Sequence, residues 1–271
     1  MIGFNNGVFQ ELSKINIPIT SLSVNRGYGG FEFFEIIGGR PFYGDRHLNR
    51  FRHTLELLKL KILYDDRLDE IVGDLIRQNH LDHAYMKLFA LPHETSFKGF
   101  REAGLYIFPT DMPAFDPVLY QEGAKLVLKN FRRFLPEAKS TSYLAGQFWM
   151  DEQSDDWVVD VLFHNGHSVQ ETSRGNVFVV KDNTVITPAD DVLMGVTRGL
   201  VIELLAHHGF LHAEAEVSLA LLNSADEVFL SSTTKHILPI TKIDGRTVGK
   251  GSPGPVTLKV MQAFQDLKNS F

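Results

Sequence analysis

VQETSRGNVFVVKDNTVITP, residues 169–188, decides how the rest of the chain is read. Glu171 ends an alternating segment and opens a small polar turn. Residues 176–180, NVFVV, then read as a strand of β-branched and aromatic residues. KDN at 181–183 is a tight turn, and Val185 and Ile186 belong to a returning strand. A carboxylate between a hydroxyl-rich turn and two buried strands needs a cation beside it or a shifted pKa. A protonated ring nitrogen of a bound cofactor is one such cation. A turn-capping glutamate that faces water is the plainer alternative.

The 271-residue chain is long enough to bury a sizeable core in one or two domains. Its formal charge is −6, with no basic run, which argues against a nucleic-acid binder. It has no cysteine, so neither disulfides nor a thiolate metal site is available. The start, MIGFNNGVFQ, lacks the basic and apolar regions of a signal peptide, and no apolar run approaches membrane-spanning length. A soluble cytoplasmic protein is expected.

Residues 18–24 read as a short strand, and residues 31–37 as an aromatic strand that turns at Gly38 and Gly39 into residues 40–43. Asp45 is the expected N-cap of a helix over 46–60. Leu68, Ile71, Val72, Leu75 and Ile76 mark a second helix by their i, i+3, i+4, i+7, i+8 spacing. Strands are expected at 84–91 and 104–108. Three prolines between 108 and 117 place a linker at 113–117. The domains expected on either side are a small N-terminal one, 1–112, and a larger C-terminal one, 118–271. In the second, strands are expected at 125–129, 157–163, 168–171 and 227–231. Helices are expected at 143–151, 194–208 and 217–224, with a last one opening at Pro255. Strands recur in both halves, so the fold class is α+β.

Several segments carry a resemblance in a fixed order. EAKSTSYL at 137–144 precedes the Glu171 stretch; GVTR at 195–198, ADEVF at 225–229, STT at 232–234 and Pro239 follow it. Together they resemble the fold-type-IV pyridoxal-phosphate enzymes, the class IV aminotransferases. That family includes branched-chain and D-amino-acid aminotransferases and aminodeoxychorismate lyase. The resemblance implies a two-domain enzyme of D-amino-acid-aminotransferase-like fold, with pyridoxal 5'-phosphate between the domains and a homodimeric assembly. The favoured reaction moves an amino group between an α-amino acid and a 2-oxo acid. Aminodeoxychorismate lyase and a noncatalytic binding protein of the same fold are the alternatives.

The resemblance also implies roles. Lys139 matches the catalytic lysine that links to the cofactor aldehyde, and Glu171 the partner of the pyridine nitrogen. Val196 and Thr197, at a helix start, Thr233, and Arg50 with its planar fork match the phosphate cup. Tyr143 matches a tyrosine near the ring hydroxyl. On the substrate side the pattern departs: Tyr85, Met86 and Lys87 stand where branched-chain enzymes have a Tyr-x-Arg-Pro-like segment, and the D-specific arginine and histidine are missing. Phe31 takes the place of the pocket aromatic, and Lys87 and Arg174 are the candidates for a substrate carboxylate. The eleven histidines show no metal-ligand spacing, so no metal is expected.

Overall fold

The computed structural model describes residues 1–271 apart from 94–98 and 112–114. Two compact units form: Met1–Pro113 with Ala138–Ser142, and Ala114–Glu137 with Tyr143–Phe271. Residues 113 and 114 of the expected linker lie outside the described residues. The Lys139 segment, although beyond that linker in the chain, belongs to the first unit.

The first unit contains strands β1 (Ile2–Asn5), β2 (Val8–Glu11), β3 (Gly30–Ile37), β4 (Arg40–Pro41), β5 (Leu60–Lys61), β6 (Ala84–Pro92) and β7 (Arg101–Thr110). Its helices are α1 (Leu22–Arg26), α2 (Gly44–Leu57) and α3 (Leu68–Asn79). Among the described residues the strands make one sheet in the order β2-β1-β7-β6-β3-β4, with β5 on β7. The two-residue period of β3 and β6 gives the sheet two different faces. Glu32, Phe34 and Ile36 of β3 and Met86, Leu88 and Ala90 of β6 are fully buried on one. There Phe34 lines one cavity together with Leu48 of α2 and Val72 and Ile76 of α3. The five apolar side chains predicted for α3 are buried, each contributing about 1.5–3 kcal/mol. Phe31, Phe33, Lys87, Phe89 and Phe108 alternate onto the other face and are half-buried.

Three local expectations are corrected. Residues 18–24 do not form a strand: the Ser21 hydroxyl accepts from the Val24 N–H and starts α1, which ends at Gly27. Asp45 is not the N-cap of α2; the helix starts two residues earlier than expected, at Gly44 after Tyr43, and Asp45 lies in its first turn, where its charge suits the helix dipole. That helix stops at Leu57, and Leu60 joins β5.

The second unit runs α4 (Val118–Glu122), β8 (Ala124–Asn130), α5 (Leu144–Asp151), β9 (Val158–His164), β10 (Ser168–Thr172), β11 (Asn176–Lys181), β12 (Thr184–Thr187) and α6 (Val196–His207). It continues with β13 (His212–Glu214), β14 (Val217–Ser218), α7 (Leu219–Asn223), β15 (Glu227–Ser232), β16 (His236–Ile243), β17 (Arg246–Thr247) and α8 (Pro255–Asn269). The helix expected over 217–224 begins only at Leu219. Its first two residues pair with β10, and the Ser218 hydroxyl caps α7.

The sheet path β11-β15-β16-β8-β9-β10 returns to β11, because Glu171 of β10 pairs with Asn176 of β11. The strands therefore close into a ring around an apolar core that includes Leu126, Leu162, Val177, Val179, Val228, Leu230 and Ile240. The Glu171 turn stands where that ring closes. Among the described residues no helix is long and apolar enough to cross a membrane.

Candidate active site

In the first unit the Lys139 segment is added beside the start of β3. The Phe31 N–H donates to the Lys139 carbonyl at 2.9 Å, and the Lys139 N–H donates to the Thr54 hydroxyl at 3.0 Å. Ser140 bridges Gly30, and the Thr141 N–H donates to the Gly29 carbonyl. These bonds hold the lysine backbone on both sides. Its Nζ lies 4.5 Å from the centroid of the Phe31 ring. Lys87 Nζ lies 5.8 Å from the same centroid and 4.9 Å from that of Phe89. One aromatic ring thus faces two amines, which a cation–π contact favours. Burial pushes the Lys87 amine below its ordinary pKa, and among the described residues no carboxylate pairs with it.

Arg50 is also in this unit, but its fork is engaged. Nε donates to Glu32 Oε2 at 2.9 Å and Nη2 to Glu32 Oε1 at 2.7 Å. Glu32 is fully buried and also meets His47 Nδ1 at 3.1 Å. Burial works to raise the Glu32 pKa, but the Arg50 charge and the bonds from His47 and Arg50 together hold the carboxyl far below the usual carboxylate range. Because Glu32 is ionised, the His47 proton is assigned to Nδ1. Burial pushes the His47 pKa down; Glu32 opposes this, and the Arg50 and Lys139 charges add to it. The two bonds to Glu32 use Nε and Nη2 of Arg50 and leave Nη1 for another acceptor.

In the second unit Glu171 is buried and has a cation of the protein's own. Arg133 Nη1 donates to Oε1 at 2.7 Å, and the Leu193 N–H donates to Oε2 at 2.9 Å. Burial works against the Arg133 charge, but the carboxylate at Glu171 and the Tyr143 phenol raise its pKa overall. Its guanidinium carbon is 5.9 Å from the Tyr143 ring centroid. Tyr143 itself precedes the first turn of α5. The demand for a cation near Glu171 was legible in the sequence; Arg133, within FRRF, was not.

Val196 and Thr197 open α6, and the preceding Gly195 supplies no side-chain cap. The first N–H groups of a helix have no intrahelical acceptor, so this start is suited to an anion. A side chain at 195 would not fit: its Cβ would lie 2.2 Å from Asn176 Oδ1. Thr233 lies in the turn between β15 and β16. Arg174 is exposed in the turn after Glu171. Among the described residues no cluster of side chains suits a metal ion. In the first unit, an amine on a fixed backbone suits the aldehyde of pyridoxal phosphate; in the second, a carboxylate held in place by a guanidinium suits its pyridine nitrogen, and an uncapped helix start suits its phosphate.

The sequence matches the family Amino-transferase class IV over residues 29–243. The chain belongs to that family, and it is a pyridoxal-phosphate-dependent aminotransferase. It is 29% identical to the D-alanine aminotransferase of Listeria monocytogenes over 96% of this chain and 93% of that protein. It is 28% identical to the branched-chain-amino-acid aminotransferase of Pseudomonas aeruginosa over 82% and 76% respectively. Its backbone matches the branched-chain amino acid aminotransferase of Escherichia coli with a TM-score of 0.89, at 25% identity over 98% and 94% of the two chains. It matches the T.th. branched-chain amino acid aminotransferase, crystallised with pyridoxamine 5'-phosphate, with a TM-score of 0.91 at 22% identity over 99% and 94%. These likenesses support transamination rather than the lyase alternative.

Proposed function

We propose that Lys139, Glu171 and the two phosphate-binding segments serve one pyridoxal phosphate, and that the enzyme moves an amino group between an α-amino acid and a 2-oxo acid whose carboxylate is taken by Lys87. The cofactor, when bound, supplies an aldehyde carbon that accepts the amino group and a ring that stores the electron pair left at the substrate α-carbon. Lys139 Nζ would hold that aldehyde before substrate arrives, and afterwards would carry the proton from the substrate α-carbon to the former aldehyde carbon, the reverse half-reaction returning it. Glu171, itself fixed by Arg133 and the Leu193 N–H, keeps a proton at the pyridine nitrogen. Val196, Thr197 and Thr233 seat the phosphate, with Arg50 adding donors from Nη1. Tyr143 bonds the ring hydroxyl, and Phe31 lines the substrate side.

The observation that carries the substrate reading is the shared Phe31 ring. It faces the reactive amine on one hand and, on the other, the half-buried Lys87 amine, whose depressed pKa makes an incoming carboxylate a favourable partner. Arg174, exposed to solvent, is the weaker of the two carboxylate candidates. The family resemblance also supports a homodimer in the cytoplasm.

The test is a half-reaction. Protein loaded with pyridoxal phosphate is mixed with single L- and D-amino acids and no 2-oxo acid, and cofactor absorbance is followed. At least one amino acid should convert the cofactor to pyridoxamine phosphate, and a 2-oxo acid should restore it. Lys87→Met should need a higher amino-acid concentration for the same conversion. A panel that leaves the cofactor unchanged, with aminodeoxychorismate turned over repeatedly to aminobenzoate and pyruvate, would overturn the reading.

A further inference from the structure

The second unit buries an ion pair to which the proposed reaction gives no task. Lys235, in the turn between β15 and β16, has a side chain only 3% exposed and donates from Nζ to Asp160 Oδ2 at 3.3 Å. Asp160, on β9, is fully buried, and its Oδ1 accepts from the Ser173 hydroxyl at 2.5 Å and from the Val161 N–H at 2.9 Å. Ser173 begins the turn that follows Glu171 and Thr172. One carboxylate is therefore shared by two turns, the one after Glu171 and the one that carries Thr233.

The Glu171 turn also approaches the end of β15, from which the Thr233 turn leaves. A Cβ at Gly175 would lie 2.8 Å from the Ser231 carbonyl oxygen and 3.2 Å from Ser232 Cβ, so only glycine allows this approach. Lys235 is fixed by its backbone as well: its N–H donates to the Ser232 hydroxyl at 3.0 Å, and its carbonyl accepts from the Tyr120 hydroxyl at 3.1 Å. Burial pushes the Lys235 pKa down; Asp160 opposes that, and Arg174, next to Ser173, adds to it. A buried ion pair adds little stability over well-packed apolar side chains of the same size, whereas its geometry specifies a single arrangement. An apolar residue at 235 would fill the same space without dictating where the turn sits relative to Ser173.

We infer that Asp160, Lys235 and Ser173 form a buried brace that fixes the Thr233 turn against the Glu171 turn, and that Lys235 and Asp160 are positioning residues for the cofactor phosphate. The inference rests on the reading of Thr233 as a phosphate donor. A donor on a flexible turn must be ordered when the anion binds, and a turn already held in place avoids that cost.

The experiment compares Lys235→Met, the double variant Asp160→Asn/Lys235→Met, Ser173→Ala and Thr233→Ala with the parent chain. Equilibrium titrations with pyridoxal phosphate and with pyridoxal, which lacks the phosphate, give affinities. Hydrogen exchange gives the local order of residues 173–175 and 233–236. The double variant removes both charges together and is the one to use if Lys235→Met leaves Asp160 buried alone and fails to fold. The brace predicts at least tenfold weaker pyridoxal phosphate binding with pyridoxal affinity held within twofold. It also predicts that Ser173→Ala speeds exchange at 233–236, across the brace. Parent-like phosphate affinity in the folded double variant, or equal losses for both ligands, would overturn it. Thr233→Ala separates the two readings: if it leaves pyridoxal phosphate affinity unchanged, the phosphate assignment fails, and the cross-turn exchange alone decides the brace.

Discussion

Glu32→Gln tests whether the buried cluster of Glu32, Arg50 and His47 holds the first unit together. The carboxylate is fully buried and the arginine side chain is 10% exposed, so neither can turn to water. The amide that replaces Glu32 keeps one acceptor oxygen, while Arg50 presents Nε and Nη2 and His47 presents Nδ1. Its NH2 would also meet a donor. Removing one partner of a buried pair costs about 3–5 kcal/mol. The remaining acceptor places this substitution at about 3 kcal/mol, which corresponds to a factor of roughly 150 in an opening equilibrium at about 1.4 kcal/mol per decade. Trp149 and Trp157 both lie in the second unit, so tryptophan fluorescence does not report on the first. Native-state hydrogen exchange of peptides from β3 and α2 does, and their slowest amides should exchange about 150-fold faster. The double variant Glu32→Met/Arg50→Met should recover a large part of that loss, giving a coupling of about 2 kcal/mol or more. Exchange within threefold of the parent in Glu32→Gln, or additive effects in the double variant, would refute the argument.

Other consequences follow from the same contacts. The stability of the first unit should fall on acidification in two windows. His47, whose folded pKa is depressed, contributes fully above its unfolded value of about 6.5 and loses that contribution as pH falls through the folded value. Glu32, also depressed, contributes fully above about 4.3 and loses it as pH falls below that. Exchange measured from pH 8 to 4 should show the upper window, and His47→Gln should abolish it. Arg133→Met leaves the Glu171 carboxylate buried with the Leu193 N–H and without its guanidinium; about 3–5 kcal/mol of stability should be lost in urea unfolding followed by tryptophan fluorescence, and Arg133→Met/Glu171→Gln should regain part of it. Arg50→Ala should weaken pyridoxal phosphate binding by about 1.5–3 kcal/mol in an equilibrium titration. Unchanged affinity in the folded variant would remove Arg50 from the phosphate cup.

The strands and the long helices were legible because their periods are local properties: β3 and β6 alternate, and α3 repeats its apolar residues every three to four positions. Short elements were not, because their ends depend on single bonds. Ser21 starts α1 through one hydroxyl, and Val217 and Ser218 are taken from an expected helix by pairing with β10. The same distinction holds for the site. Glu171 announced a need for a cation, but Arg133 lies 38 residues earlier and no local pattern connects the two. His47 and Arg50 are three residues apart on α2 and so share a helix face. That spacing was a usable signal; their partner Glu32, on a strand, was not. Lys235 and Asp160 are 75 residues apart, and their pairing is a product of the closed ring of strands alone.

The proposed reaction turns on Lys139 carrying the cofactor. Protein loaded with pyridoxal phosphate is treated with borohydride, digested and mapped by mass spectrometry. The pyridoxyl group should be found on Lys139, and Lys139→Ala should lose both the label and transamination. A label on Lys87, Lys235 or any other lysine, with Lys139 unmodified, would contradict the account.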